Sequence, residues 1–216
     1  LDGAVTRDEA LGHAAAIAAV NSLPVSADLE NAFADEPAGV AETIGLAAAA
    51  GLAGCSVEDF TRRPDEPIYE LGLARERVAA AAAAAQAAPG PLVLTARAEN
   101  YLHGRPDLAD TIRRLQAYQE AGADVLYAPG LTSLADIAAV VTSVDRPVNV
   151  LTLPETPAVP QLAAAGVRRI SVGSAFSNAA LGALVCAARE LLEQGTYGFL
   201  GQAAIGRAHS AAAFRP

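Results

Sequence analysis

The stretch Ala121-Gly122-Ala123-Asp124-Val125 contains the junction from which this chain is built: the end of a helix, a glycine that terminates it, and the start of a strand. The same junction returns as Ala-Gly-Leu-Ala-Gly at residues 50–54 and as Ala-Gly-Val-Arg-Arg at residues 165–169. Glycine closes helices readily because it adopts the left-handed conformation at little cost. Helix and strand therefore alternate along the chain, which predicts a parallel sheet with helical crossovers.

Short apolar segments bounded by proline, glycine or charge are the predicted strands, at residues 23–27, 53–57, 92–96, 124–128, 147–151 and 169–172. Helical patterns lie at residues 6–20, 36–50, 69–88, 107–121, 133–143, 156–165, 178–194 and 199–209. The first of these opens with a capping box, Thr6-x-x-Glu9.

Two architectures fit this pattern, a doubly wound sheet and a closed barrel. No G-x-G-x-x-G sequence follows any strand, which counts against the doubly wound dinucleotide fold. Six strand–helix units suit an α/β fold of the (β/α)8 TIM type whose first two strands lie upstream, and the absence of methionine agrees with a missing start. We expect residues 1–216 to form a single barrel domain that is incomplete at its N-terminus.

Composition excludes several functions. The net charge is −9 and there is no basic run, so nucleic acid is not the expected partner. The sequence shows no membrane-spanning pattern, no basic leader and only two cysteines, which indicates a cytoplasmic protein with no membrane partner. The chain has no lysine, so Schiff-base and pyridoxal-phosphate chemistry are excluded. An enolate formed in such a barrel would have to be stabilised by a metal.

Charged residues follow three of the predicted strands. Asp28 and Glu30 end the first, Glu58 ends the second, and Arg97 ends the third. Carboxylates that converge at a barrel mouth repel one another unless a cation holds them, so this pattern predicts a Mg²⁺ site facing an anionic substrate beside Arg97. The structural alternatives are capping by Asp28 or Glu30, a salt bridge between Asp28 and an arginine, and ion pairs of Arg97 with Glu58 or Glu99.

Four further features are candidate parts of a site. Asn149 is polar within an apolar strand, where it either makes hydrogen bonds inside the barrel or contacts substrate. Ser174 follows the sixth strand and could offer backbone N–H groups to a phosphate. The charged, proline-bearing segment at residues 60–68 is either a lid or a solvated connector. His103, on the loop after Arg97, is either an acid–base group or a surface residue.

Several of these motifs resemble the isocitrate lyase/phosphoenolpyruvate mutase superfamily, and they match in order over nearly the whole chain. The resemblance is closest to the mutase and phosphonopyruvate-processing side of that superfamily. The motifs are Asp28-Leu29-Glu30, Val57-Glu58-Asp59, Ala96-Arg97-Ala98-Glu99, and the segments at residues 117–124 and 166–173.

The resemblance implies a (β/α)8 barrel whose terminal helix is exchanged between subunits of a homodimer or homotetramer. It also implies Mg²⁺, with Mn²⁺ as the alternative ion, and a small anionic 2-oxo acid substrate. In this family a phosphorus–carbon or carbon–carbon bond is made or broken through a pyruvate enolate. Carried over by position, Asp28 is the direct metal ligand, and Glu30 and Glu58 hold metal-bound waters. Arg97 binds the substrate anion, and Asp2 is the catalytic aspartate.

This chain also departs from the family pattern. Its loop Thr61-Arg62-Arg63-Pro64-Asp65 has neither the cysteine of the lyases nor the Lys-Asn pair of the mutases, and Gly173-Ser174-Ala175-Phe176 lacks the mutases' late histidine. Two alternatives to a mutase-like enzyme therefore stay open. One is a carbon–carbon lyase or hydrolase acting on an oxaloacetate-like acid, and the other is a barrel that binds a metabolite without turnover.

Overall fold

The computed structural model describes residues 4–213, which divide into two compact units, the first ending at Ser171 and the second beginning at Val172. The first unit alternates helix and strand. Its strands are β1 (Ser26–Asp28), β2 (Gly54–Glu58), β3 (Val93–Arg97), β4 (Val125–Tyr127), β5 (Val148–Leu151) and β6 (Arg169–Ser171). Its helices are α1 (Arg7–Ala19), α2 (Pro37–Ala49), α3 (Leu71–Gln86), α4 (Leu108–Glu120), α5 (Leu134–Thr142) and α6 (Val159–Ala164).

The strands form one parallel sheet in the order β1-β2-β3-β4-β5-β6. Consecutive order is that of an α/β barrel, because a doubly wound sheet reverses direction from a central strand. The sheet also curves as a barrel wall does. Arg169 Nη1 of β6 lies 3.3 Å from Thr95 Oγ1 of β3, although those strands would lie roughly 14 Å apart in a flat sheet. The predicted α/β barrel type is supported, and the upstream strands stay a prediction.

All six predicted strands are present, and no boundary differs from the prediction by more than three residues. The largest shift is in β1, which begins at Ser26 rather than at residue 23. Pro24 has no N–H to donate, so regular pairing starts after it. The predicted capping box is confirmed, since Glu9 N donates to Thr6 Oγ1 at 3.3 Å and Thr6 N donates to Glu9 Oε2 at 2.9 Å.

The Ala-Gly junctions work as the sequence predicted. Gly51, Gly122 and Gly166 all have positive φ angles, of 83°, 105° and 92°. At Gly122 a Cβ atom would also lie 2.9 Å from the Ala82 Cβ of α3, closer than packed side chains allow. Glycine is therefore required here both for the turn and for the close approach of α4 and α3.

The core of the first unit lies between the sheet and its helices. Small residues dominate it where α2 and α3 meet the strands, so the helices pack close to the sheet. Fully buried members include Leu29, Val40, Ile44, Ala81, Leu94, Leu115, Leu126 and Leu162. This packing fixes the carboxyl ends of the strands, from which the functional side chains project.

The second unit contains α7 (Ala175–Arg189), a π-helical turn (Glu190–Gln194) and α8 (Leu200–Ala213). The continuous run Ala175–Gln194 is the one helix among residues 4–213 that could cross a membrane by length and composition, and none of that apolar stretch is buried. Length and composition alone are weak evidence for a span. The unit exposes several large apolar side chains, among them Phe176, Leu181, Leu184, Leu192 and Ile205.

Candidate active site

A pocket of about 250 Å³ lies at the carboxyl ends of β1, β2 and β3. Parallel strands in consecutive order bring these ends to one edge of the sheet, so residues distant in sequence meet there. The register aligns Glu58 of β2 with Arg97 of β3, and Arg97 with Tyr127 of β4. The pocket is lined by Asp28, Glu30, Glu58, Phe60, Arg62, Arg97, Glu99, Leu102 and His103.

Arg97 lies at the centre of the charged cluster. Its Nη1 is 2.5 Å from Asp28 Oδ2, and its Nη2 is 3.2 Å from Glu58 Oε2. Its Nε and Nη2 each lie 2.8 Å from Glu99 Oε1. The guanidinium therefore holds three carboxylates from three different strand ends. The predicted meeting of Asp28, Glu58 and Arg97 in one pocket is observed, and their functional roles stay predictions.

Asp28 and Glu30 occupy the turn that leaves β1. Asp28 Oδ1 accepts hydrogen bonds from the Glu30 backbone N–H at 3.0 Å and from Ser56 Oγ at 3.1 Å. The Asp28 side chain is 59% exposed toward the pocket, so it can take an additional partner. Glu30 has a φ of +50° and forms an ion pair with Arg62. Left-handed backbone in a non-glycine residue is costly and must be stabilised by its surroundings.

Arg77 of α3 stabilises this turn, a role that the sequence analysis did not identify. Its side chain is 1% exposed and donates to the carbonyls of Asn31, Ala34 and Asp35, at 2.7 Å for Asn31 and 2.5 Å for Asp35. The Tyr69 ring packs 4.1 Å from its guanidinium. A charged residue in the middle of the apolar face of α3 was the available signal, since Arg77 shares that face with buried alanines.

Burial changes the ionisation of two carboxyl groups in the pocket. Burial raises the pKa of Glu58 to about 8, although the nearby Arg97 opposes the shift. Burial likewise raises the pKa of Glu99 to about 7, again against the effect of Arg97. One guanidinium does not fully compensate the carboxylates gathered around it. The folded protein without a cation therefore keeps protons here that the unfolded chain would release near pH 4.5.

This linkage predicts the pH dependence of stability. Between about pH 5 and about pH 8 the folded state binds more protons at Glu58 than the unfolded state, so the free energy of unfolding should fall as pH rises. Thermal denaturation in EDTA should show the melting temperature decreasing across this window, and Glu58→Gln should flatten the decrease. Glu120→Gln, at an exposed glutamate, is the control. An unchanged slope in Glu58→Gln would show that Glu58 ionises normally in the folded protein.

Asp59 faces away from the pocket, although it is adjacent to Glu58. It is 3% exposed and accepts hydrogen bonds from Glu99 N at 2.8 Å, Arg114 Nη1 at 3.1 Å and the Tyr118 hydroxyl at 2.5 Å. Burial raises its pKa, and the Tyr118 hydroxyl and the Glu99 backbone N–H are the main opposing influences. Asp59 therefore joins β2, the end of β3 and α4, and it supports the site without facing it.

The charges around the pocket suit a divalent cation. Four carboxylates and two guanidiniums line it, which leaves two negative charges in excess when every group is ionised. Carboxylate oxygens are the ligands that Mg²⁺ prefers, and Mg²⁺ usually keeps several waters. Within residues 4–213, no three His, Cys, Asp or Glu side chains are arranged to hold a metal by themselves. A Mg²⁺ in this pocket would therefore need waters to complete its ligands, which is compatible with the chemistry of this ion.

Asn149 lies deeper in the barrel wall, at 1% exposure. Its Nδ2 donates to Ser171 Oγ at 2.9 Å, and Ser171 Oγ lies 3.4 Å from the Tyr127 hydroxyl. The Tyr127 ring lies 5.3 Å from the Arg97 guanidinium, so this polar row continues to the pocket. The Asn149 Oδ1 atom is buried and has no hydrogen-bond partner among the described residues. Tyr127 gives no signal in the sequence as a site residue, because its alignment with Arg97 becomes visible only in the sheet register.

The segment at residues 60–68 closes one side of the pocket. An antiparallel bridge pairs Phe60 with Ile68, and Thr61 N donates to Pro67 O at 2.8 Å, so the base of the loop is fixed. The Phe60 ring stacks on His103 at 3.7 Å between centroids, and His103 Nε2 lies 3.7 Å from Glu99 Oε2. His103 is thus a pocket residue in this structure, and an acid–base role for it stays a prediction.

Two predicted site residues are not placed in the pocket. Asp2 lies outside the described residues. Ser174 belongs to the second unit, where it precedes α7 and its Oγ accepts a 3.1 Å hydrogen bond from Asn178 Nδ2. Their predicted roles stay predictions.

Comparison with known proteins yields one consistent family. The family model of phosphoenolpyruvate phosphomutase matches residues 1–192. A candidate lyase/mutase from Burkholderia cenocepacia J2315 is 53% identical, with a TM-score of 0.93 over 98% of this chain and 77% of that one. A candidate phosphonomutase from the same organism is 34% identical, with a TM-score of 0.80 over 88% of this chain and 80% of that one. A phosphonopyruvate hydrolase solved with oxalate and Mg²⁺ is 26% identical. Its TM-score is 0.78, and the match covers 89% of this chain and 69% of that one.

Proposed function

Because the chain belongs to the phosphoenolpyruvate phosphomutase family, we propose that it is a Mg²⁺-dependent enzyme that makes or breaks a phosphorus–carbon or carbon–carbon bond of a small 2-oxo acid. The reaction would pass through a pyruvate enolate. The observation that carries the proposal is the pocket at the ends of β1, β2 and β3, where carboxylates outnumber guanidiniums by two. A similar protein, described as a phosphonopyruvate hydrolase, was solved with oxalate and Mg²⁺, which supports this choice of ion and ligand.

The proposed ion site uses the residues at the pocket mouth. Asp28 would ligate Mg²⁺ directly, because its side chain is far more exposed than that of Glu58, the carboxylate that β2 contributes. Glu30 and Glu58 would act through water, and Mn²⁺ is the alternative ion. The bound ion would supply a Lewis acid that neutralises the charge developing on the enolate oxygen.

The remaining groups would bind and orient the substrate. Arg97 would hold an anionic group of the 2-oxo acid, because its planar fork suits a carboxylate or phosphonate. Tyr127 and the buried amide of Asn149 would keep the floor of the pocket polar and rigid. Asp2 would be the catalytic aspartate, and Ser174 would contribute to anion binding.

A second candidate reaction is carbon–carbon cleavage of an oxaloacetate-like acid. The 53% identical structure is described as a lyase/mutase, a description that covers both reaction types. In both reactions the bond at the third carbon breaks and its electron pair is retained as an enolate, so the same pocket could serve either.

Turnover with two substrates tests the proposal. Phosphonopyruvate and oxaloacetate should be supplied separately with Mg²⁺, and pyruvate, phosphoenolpyruvate and phosphate should be measured. We expect one substrate to give Mg²⁺-dependent product at least about 10³-fold faster than the rate in EDTA, since several kcal/mol of enolate stabilisation would be lost with the ion. Oxalate should inhibit as an enolate mimic. Oxalate binding without turnover of any 2-oxo acid would instead indicate a metabolite-binding barrel.

Location and assembly complete the proposal. We place the enzyme in the cytoplasm, as a homodimer or homotetramer. The exposed apolar side chains of α7 and the π-helical turn, such as Phe176, Leu184 and Leu192, support assembly because exposed surfaces of this kind are typical of interfaces.

A further inference from the structure

The two guanidiniums that line the pocket are held in different ways. Arg97 uses Nε, Nη1 and Nη2 on three carboxylates, and it is only 12% exposed at its side chain. Arg62 lies on the segment at residues 60–68, and its one ion pair within residues 4–213 is with Glu30. The Arg62 side chain is 29% exposed, so it is the more exposed of the two side chains, although its Nη2 atom is buried.

The Arg62–Glu30 pair joins two strained residues. Arg62 has a φ of +63° and Glu30 a φ of +50°, and neither is a glycine. Non-glycine residues in this conformation cluster at ligand clamps and active sites, where the surrounding structure stabilises them. The antiparallel bridge between Phe60 and Ile68 fixes the base of the Arg62 loop, and Arg77 fixes the turn that carries Glu30. Both partners are therefore held at the pocket mouth by rigid elements.

The proposed role of Glu30 in binding Mg²⁺ would separate the Arg62–Glu30 ion pair. If Glu30 turns toward Mg²⁺, Arg62 loses its carboxylate partner, whereas Arg97 still retains Glu99. A guanidinium left unpaired beside a pocket attracts an anion.

We infer that Arg62 binds the anionic substituent on the third carbon of the 2-oxo acid. This inference rests on the proposed function. It assigns the group that departs or migrates from the third carbon to Arg62, and it leaves Arg97 to the rest of the substrate. It narrows the substrate class to 2-oxo acids whose third carbon bears a phosphonate, carboxylate or sulfonate. With an uncharged substituent, Arg62 would keep its contact with the Phe33 ring but would have no anionic partner, so such acids would bind poorly.

Binding of two stable ligands tests the inference. Oxalate carries only the atoms that mimic the enolate, whereas 3-sulfopyruvate adds a fixed anion on the third carbon. Isothermal titration calorimetry in Mg²⁺ should show that Arg62→Gly weakens 3-sulfopyruvate binding by about 10- to 100-fold, the usual range for a lost charge-assisted hydrogen bond. Oxalate binding should change by less than about 2-fold, as expected for a contact that this ligand does not make.

The choice of variants keeps the test interpretable. Glycine suits the left-handed backbone of Arg62, so Arg62→Gly should fold. Arg63→Ala is the matched control, because Arg63 is adjacent, pairs with Asp35 at 3.2 Å and does not line the pocket. Equal losses for both ligands, or no loss for 3-sulfopyruvate, would overturn the role of Arg62 and leave the proposed function standing. Failure of the parent protein to bind either ligand in Mg²⁺ would reject the proposed function and this inference together.

Discussion

Replacing Asp28 with asparagine is expected to lower kcat/KM for the proposed 2-oxo acid reaction by about 10³-fold or more. A thousandfold loss corresponds to about 4 kcal/mol of transition-state stabilisation, which is within the contribution expected of a Lewis-acid cation. The amide keeps the size of the side chain and can still accept from Ser56 Oγ and the Glu30 N–H. What it removes is the negative charge that would hold Mg²⁺.

Stability should not follow activity in this variant. Asp28 is one of three carboxylates around Arg97, and the pKa of Glu58 is already raised to about 8 by burial. Removing one of these charges relieves repulsion, so in EDTA the melting temperature of Asp28→Asn should equal or exceed that of the parent. Mg²⁺ should raise the melting temperature of the parent and not that of the variant.

The control for this experiment is Asp8→Asn on the exposed face of α1. It should keep both the activity and the Mg²⁺-induced rise in melting temperature. If Asp28→Asn retained the full Mg²⁺ response, the ion would have to bind elsewhere, and the assignment of Asp28 as its ligand would be rejected.

The alternation of helix and strand could be predicted because each element leaves a local signal. The Ala-Gly junctions at Gly51, Gly122 and Gly166 mark the ends of helices, and the apolar segments after them supply the strands. The consecutive strand order then follows from the short right-handed connections. Boundaries were less predictable, because pairing in β1 depends on its neighbour β2 as much as on its own residues.

The site could be predicted only where a charge follows a strand directly. Asp28, Glu58 and Arg97 are charged residues at strand ends, and the structure brings them together. Arg77 lies in a helix and Tyr127 in a strand of ordinary composition, so their positions at the site depend on tertiary packing. The Arg62–Glu30 pair depends on two left-handed residues whose conformations no local pattern reveals.

The Glu58-Asp59 pair shows how one motif can serve two purposes. Successive residues at the end of a strand point to opposite sides, so Glu58 faces the pocket and Asp59 faces α4. We therefore expect substitutions at the two positions to separate chemistry from stability. Glu58→Gln should mainly weaken ion binding, whereas a substitution of Asp59 should mainly lower the stability of the fold.

Asp59→Ala is expected to destabilise the fold by about 3–5 kcal/mol, the range for removing one partner of a buried ion pair. It would leave the Tyr118 hydroxyl and the Glu99 N–H without their acceptor, and it would deprive Arg114 of one of its two carboxylates. For a chain of this length the melting temperature should fall by roughly 6–20 °C. Thermal and urea denaturation measure this directly.

Asp110→Asn is the matched comparison, because Asp110 also pairs with Arg114, at 2.7 Å, but its side chain is 26% exposed. Water can replace part of that contact, so the loss should be about 1 kcal/mol or less. A similar small loss in Asp59→Ala would mean that the buried carboxylate contributes little to joining β2, β3 and α4. A large loss confined to Asp59→Ala would instead identify Asp59 as the group that ties the strand ends to α4. Its two oxygens accept from Glu99 N at the end of β3 and from Arg114 and Tyr118, which both lie on α4.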